Sequence, residues 1–356
     1  MASNSFGNYF RITTWGESHG KAIGVIIDGC PAGLAITAEE IADEMGRRAP
    51  GKAHTSPRNE RDKVEILSGI FEGVTTGAPI SLLIWNEDKK AEHYAPIKDL
   101  MRPGHANFTY LEKYGCFDYS GGGRASARET AGRVAAGAIA KKMASGIQIT
   151  AQLKQVGKLI ARDLEKGERP NQTDLFWVDE RSRVELKDLL TSLEQEGDSI
   201  GGTVQLSIFG LPAGLGDPIY EKIEARLACA MLSLPASKGF EIGMGFKVAE
   251  MRGSAHNDSF IRDADEKIRP GSNSAGGTLA GISTGAPLIC RVAFKPTSSI
   301  KMAQKTVALN GESALFQLPE GSRHDPCVAI RAVPIVEAMG ALVVADLLLA
   351  NRLSRV

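Results

Sequence analysis

The sequence predicts an α+β fold in which two pseudo-symmetric halves, each a sheet with helices, stack in layers as one domain over residues 1–356. Three observations predict it. GVIIDGCPAGLAITAEEIADEM (24–45) and GGTVQLSIFGLPAGLGDPIYEKIEARLACAM (201–231) share a β-branched strand, a Pro-Ala-Gly-Leu turn and a following helical stretch. FEGVTTGAPISLLI (71–84) and LAGISTGAPLICRVAF (279–294) share a strand, a Thr-Gly-Ala-Pro turn and a second apolar strand. The two copies lie too far apart for a solenoid, whose period is roughly 20–50 residues.

Taken in chain order, Thr37 and Glu40 have capping-box spacing and open the first helix. Residues 46–62 and 85–109 read as long loops, a length usually kept for function. Ser126 and Glu129 repeat the capping-box spacing at the head of an alanine-rich helix over 126–144. Residues 163–183 read as a polar surface insertion. Asp217 followed by Pro218 suits the cap and first position of the next helix. A leucine-rich helix over 334–353 closes the chain.

Lys and Arg number 42, matching 42 Asp and Glu, so a nucleic-acid or anionic-membrane surface is not expected. No apolar run reaches about 18 residues, the length of a membrane span. The first twenty residues lack the basic-then-apolar order of a signal peptide. Cys30, Cys116, Cys229, Cys290 and Cys327 are scattered, without a CxxC pair, which points to a reducing cytoplasm rather than a disulfide framework or zinc site.

Chemistry concentrates in six stretches. In DYSGGGRASARETAGRV (118–134), three glycines free the backbone before a helix start, while Arg124 and Arg128 add charged donors. This combination suits a phosphate or carboxylate. Loop 46–62 supplies Arg47, Arg48, Lys52, Arg58 and Arg61, diluted by Glu60 and Asp62. MRPGHANFTY (101–110) sets Arg102 and His105 around a Pro-Gly turn, and a histidine there titrates near neutral pH when unperturbed. TTWGESHGKAIG (13–24) places Ser18 and His19 between glycines, yet adjacent Ser and His cannot readily face each other, and the nucleophile elbow of a hydrolase is missing. AFKPTSSIKMAQ (293–304) offers a lysine and three hydroxyls without a Walker loop. GSRHDPCVAIRAVPIVEAM (321–339) groups Arg323, His324, Asp325 and Arg331 before the last helix.

Together these stretches resemble the chorismate synthase family over essentially the whole chain: GESHGKAIGVIIDGCP, GGGRASARETAGRVAAGAI and RHDPCVAIRAVPIVEAM occur in order, with RPGHA, EGVTTGAP, EGDSIGG and KPTSSI between them. The resemblance implies a β-α-β sandwich, a homotetramer, and a lyase that eliminates phosphate from 5-enolpyruvylshikimate 3-phosphate in a 1,4-anti sense. Reduced FMN is then required without net redox change, supplied by an external flavin reductase, with NADPH as the indirect reductant. It also implies roles. His105 would protonate the leaving phosphate, His19 would stabilise the reduced flavin, and Asp325 would relay the substrate proton. Arg48, Arg102, Arg128 and Arg331 would hold the substrate, and Arg48 would also meet NADP. Arg124, Ala125, Ser126, Pro235, Ala236, Ala280, Lys295, Pro296, Thr297, Ser298, Ser299 and Arg323 would contact FMN; no metal is implied.

The chain departs from the family pattern at four places. Asn107 follows RPGHA where a carboxylate is usual, Ala125 replaces a serine, and Pro235 replaces an asparagine. The second arginine of the 51–58 loop is displaced, with Lys52 or His54 nearby, which weakens the nicotinamide expectation. From the residues alone, a flavin reductase with net hydride transfer and a noncatalytic anion-binding relative of the same fold remain alternatives. The absence of a G-x-G-x-x-G turn argues against the first.

Overall fold

The computed structural model describes residues 3–49, 53–55, 62–87, 91–170, 173–264, 266–319, 321–322 and 325–355. Two five-stranded antiparallel sheets form its outer layers. The first runs Ser5–Phe6, Arg11–Gly16, Ala22–Asp28, Ile80–Trp85, Val64–Ser68 in spatial order. The second runs Ser237–Ile242, Leu288–Phe294, Gly202–Phe209, Gln148–Val156, Leu159–Ile160.

The helices are α1 (Ala38–Arg48), α2 (Asn107–Tyr114), α3 (Thr130–Met143), α4 (Arg183–Glu196), α5 (Ile223–Leu232), the single turn α6 (Gly253–His256) and α7 (Ala329–Asn351). Helices α1 and α3 lie on the first sheet, α5 and α7 on the second, and α3 packs on α7 between them. One continuous core spans all layers, from Val25 and Leu82 through Val134 and Val343 to Leu206 and Val292. Small residues set the spacing. A Cβ on Gly137 of α3 would collide with Ala338 of α7, and one on Gly340 would come within 2.7 Å of Leu206 on the second sheet.

Helix α7 is 23 residues long with mean hydropathy 2.0, enough for a membrane span by length and composition, and 89 % of that window is buried between the sheets. Its two buried carboxylates are both held. Glu337 meets Arg47 and Lys141 and accepts from Ala151 N at 2.8 Å. Asp346 accepts from the backbone of Asn8, Tyr9 and Phe10 and pairs with Arg226, fixing the N-terminal strand.

The repeated turns are held by matching bonds. Thr75 Oγ1 donates to Pro31 O at 2.6 Å and accepts from Leu34 N; Ser283 Oγ donates to Pro212 O at 2.7 Å and accepts from Leu215 N. Thr76 N reaches Gly69 O at 3.0 Å, as Thr284 N reaches Gly277 O. Glu72 and Ala280, equivalent in the two copies, both have left-handed φ, 48° and 52°.

Several local expectations need correction. The capping box of Thr37 and Glu40 forms, but that of Ser126 does not. Ser126 caps a short 3-10 turn (Ala127–Glu129), α3 begins at Thr130, and Glu129 turns to Arg133 instead. Asp217 bridges to Glu221 and the helix starts only at Ile223. The last helix starts at Ala329, with Pro334 inside it. Residues 163–183 are not merely polar cover: Phe176 and Trp177 enter the main core, and Leu164 and Val178 pack on Phe209 over the outer face of the second sheet. Loop 85–109 holds a 3-10 turn (Ala91–Ile97) and the start of α2.

Candidate active site

The glycine loop is the hinge of the arrangement. Gly121, Gly122 and Gly123 all have positive φ, at 134°, 90° and 51°. The first carries the ring of His19 on its bare face: a Cβ on Gly121 would collide with that ring. A Cβ on Gly122 would stand 3.3 Å from Cε1 of His105. The loop therefore puts both predicted histidines on one short run of backbone. His19 is further set by Ser18 Oγ at 3.0 Å from Nδ1 and by the edge of Tyr94, 5.5 Å between centroids.

His105 follows a tight turn in which its N donates to Arg102 O at 3.1 Å and Gly104 takes φ 66°. Buried Asn107 ties that turn down: its Oδ1 accepts from Arg102 N at 3.3 Å, and its Nδ2 donates to Leu100 O at 3.0 Å. A carboxylate there could not make the second bond. The missing negative charge matters to His105. Its pKa is pushed down to about 3 by burial first, then by the cations Arg102 and Lys295. Arg102, lowered by its own burial, stacks near the Tyr94 ring and donates to Ser299 Oγ at 2.6 Å. Lys295 donates to Gly104 O at 2.7 Å and Ser298 Oγ at 3.0 Å.

The segment 295–299 joins this cluster to the next. Lys295 N donates to Ala236 O, Thr297 Oγ1 donates to Asp325 O at 2.8 Å, and Asp325 Oδ2 accepts from Arg331 Nη1 at 3.3 Å. Arg48, Asp325, Arg331, Ala127 and Pro235 line a narrow cavity of about 40 Å³. A larger cleft of about 820 Å³, lined by Gly122–Ala125, Glu17, Tyr110 and Phe117, shares the wall of Leu234 and Pro235 with it. Among the described residues, Arg102 Nε, His105 Nδ1 and Arg331 Nε are buried without a hydrogen-bond partner.

Not every predicted residue sits in that pocket in the same way. The Arg124 guanidinium turns to the first sheet, meeting Gly16 O, Asn4 Oδ1 and Thr14 Oγ1, so its contribution to the cleft wall is chiefly backbone. Arg128 is buried and bonded to Asp62, Asn86 Oδ1 and Trp85 O. Ala280 is exposed at a hairpin tip, beyond the far end of the seven-residue strand Leu288–Phe294 from Lys295, a separation on the order of 20 Å. The structure does not bring it to the cluster within one chain. Pro296 is exposed beside the cluster. Arg323 and His324, like Lys52, Arg58 and Arg61, lie outside the described residues. Asp62, Asn86, Asn107 and Tyr94 join the site through the fold rather than through a catalytic motif of the sequence.

The sequence profile of the chorismate synthase family matches residues 10–349. The chain belongs to the chorismate synthase family. A chorismate synthase of Protochlamydia amoebophila is 55 % identical, covering 99 % of each chain. One of Methanosarcina mazei is 51 % identical over 97 % of this chain and 96 % of its own. A solved crystal structure of chorismate synthase superposes with a TM-score of 0.76 at 32 % identity, covering 97 % of this chain and 93 % of that one. The activity follows from the chorismate synthase family: a lyase of the shikimate pathway, serving aromatic amino acid biosynthesis and acting on a small molecule with the help of a flavin.

Proposed function

We propose that the two cavities on either side of the Leu234–Pro235 wall, with the His105 cluster beside them, hold 5-enolpyruvylshikimate 3-phosphate against reduced FMN and eliminate its phosphate in a 1,4-anti sense. The observation that carries this reading is the set of buried donors without partners on Arg102, His105 and Arg331, two neighbouring groups linked by the 295–299 segment. Among the described residues no carboxylate pairs with buried Arg102, and a buried cation left so costs several kcal/mol unless an anion joins it. The substrate brings a phosphate and two carboxylates.

The residues fit a flavin phosphate chain as well. A Cβ on Gly104 would lie 3.2 Å from Ser298 Cβ, so the glycine lets the 295–299 segment close in and present Lys295, Thr297, Ser298 and Ser299. Ala125 and Ser126 on the loop, with Pro235, Ala236 and Pro296, would form the rest of the flavin wall. When bound, the reduced flavin supplies electron density transiently to the allylic system and accepts the substrate hydrogen. Arg48, Arg102 and Arg331 hold the three anionic groups, with Arg128 behind them. His105 carries a proton to the leaving phosphate. His19 holds a proton on the flavin side, and Asp325, braced by Arg331, relays onward the proton of the hydrogen that the substrate gives up to the flavin side.

The rest of this reading concerns the wider setting. NADPH acts through a separate flavin reductase, Arg48 being its candidate contact; the enzyme works in the cytoplasm as a homotetramer, and Ala280 and Arg323 complete the flavin set. Residues 1–356 form one domain built from two related halves, supported by the matching turn bonds. The deciding experiment supplies chemically reduced FMN anaerobically and counts phosphate. Many phosphates per flavin are expected. One phosphate per reducing equivalent would instead support a net reduction.

A further inference from the structure

A buried chain of polar groups connects the substrate end of the site to the loop that carries His19. Arg48, which lines the narrow cavity, donates from Nη1 to Asp62 Oδ2 at 2.7 Å. The other carboxylate oxygen of Asp62 pairs with Arg128 Nη1. Arg128 Nε donates to Asn86 Oδ1 at 2.9 Å. Asn86 Nδ2 then donates to Glu17 O at 2.9 Å and Gly20 O at 3.0 Å, the two ends of the turn holding Ser18 and His19. Asp62 is fully enclosed, Arg48 and Arg128 nearly so, and Asn86 is buried. Asp62 also holds φ at 46°, a conformation that side-chain-bearing residues take rarely and that concentrates where a site needs one orientation.

We propose that Asp62 and Asn86 are positioning residues for the elimination, an inference that rests on the functional reading above. The chemistry of each fits the task. A carboxylate has two oxygens, and Asp62 gives one to each arginine, fixing both guanidinium planes before substrate arrives. It also leaves the pair with one net positive charge, so Arg48 is available to an anion without two bare cations buried together. Asn86 is the one member that both accepts and donates, which lets a cationic chain end on two backbone carbonyls. A change at Asp62 is therefore felt first at Arg48 and a change at Asn86 first at His19.

The test measures KM and kcat per active site on 5-enolpyruvylshikimate 3-phosphate, with FMN reduced chemically under anaerobic conditions. Asp62→Asn gives up one charged arginine anchor and leaves Arg48 on its longer bonds to Thr130 Oγ1 at 3.3 Å and Ala127 O at 3.2 Å, so KM is expected to rise about tenfold. Asn86→Asp keeps the acceptor for Arg128 but removes both donors to the His19 turn, and lowers kcat about tenfold with a smaller change in KM. Because both cuts fall on one chain, the double variant is expected to lose less than the product of the single losses. If Asp62→Asn does not fold, Asp62→Glu, which keeps the charge but displaces both oxygens, carries the same KM expectation. A purely structural role would lower thermal stability and active fraction while leaving KM and per-site kcat within about twofold in all these variants, and that result overturns the inference. Arg48→Ala separates the two levels. If it raises KM while the Asp62 variants leave KM and the Asn86 variant leaves kcat within about twofold, only the positioning role fails; if it too leaves KM unchanged, the site reading fails beneath it.

Discussion

His105 sits under two cations with no facing carboxylate among its perturbing groups, so in the free enzyme it is neutral at pH 7. A bound phosphate dianion opposes both cations and raises the value of His105 in the complex. For His105 to carry the proton, that value must pass the working pH; the complex then holds a proton that the free enzyme does not, and affinity falls as pH rises through the complexed value. Calorimetric titration near pH 6 in buffers of different ionisation enthalpy should therefore detect net proton uptake on substrate binding. Heats independent of the buffer would remove His105 as the proton carrier. Asn107→Asp tests the same balance from outside the histidine: a carboxylate beside the turn raises the His105 pKa in the free enzyme, read by NMR titration of the ring. Replacing His105 or His19 by Ala should lower kcat by ~10²-fold with the fold intact.

At the scale of elements, α1, α3 and α7 meet around buried Glu337. Burial alone would raise its pKa, but Lys141 and Arg47 outweigh that and bring it to about 2 from the usual 4.5. Its stabilising contribution is thus present above pH about 4.5 and lost as pH falls toward about 2. Glu337→Ala removes the deepest carboxylate partner of Arg47 and Lys141 and should cost about 3–5 kcal/mol in denaturant unfolding. A loss under about 1 kcal/mol would mean that water reaches these cations without it.

The same helices show what was legible in the sequence. The Thr37–Glu40 box is a purely local signal, and it forms. Asp217 offered an equally local signal, but its backbone is taken by the bridge to Glu221. Ser126 lost its reciprocal partner because Glu129 has Arg133 one turn away. In the site, the arginines and histidines stood out by type and by the turns around them. Asp62 and Asn86 did not: one read as dilution of a basic loop, and they lie on opposite sides of the hairpin strands that bring them to Arg128. Only the pairing of Val64–Ser68 with Ile80–Trp85 makes them neighbours.

For the whole molecule, the helices fill the middle, which leaves the outer faces of both sheets to be covered. The second sheet covers itself: Gln152 and Lys154 reach the carbonyls of Arg162 and Ala161, and Leu164 and Val178 pack on Phe209. The first has no such cover among the described residues. Trp15, Ile26, Leu67 and Trp85 alternate outward along its strands and remain 37 %, 39 %, 58 % and 46 % exposed. Contiguous apolar surface of this kind marks an interaction face, and the proposed homotetramer supplies the occupant, a second copy of the chain. A charge placed at its centre should then weaken assembly while sparing the fold. Ile26→Glu lies on a strand paired on both sides, so its backbone bonds persist, and its neighbour across the sheet is polar Ser81. Sedimentation of this variant should show a smaller species at concentrations where the parent is tetrameric, with circular dichroism unchanged. A tetramer of undiminished mass would place the contacts elsewhere and leave the first sheet's outer face without a partner.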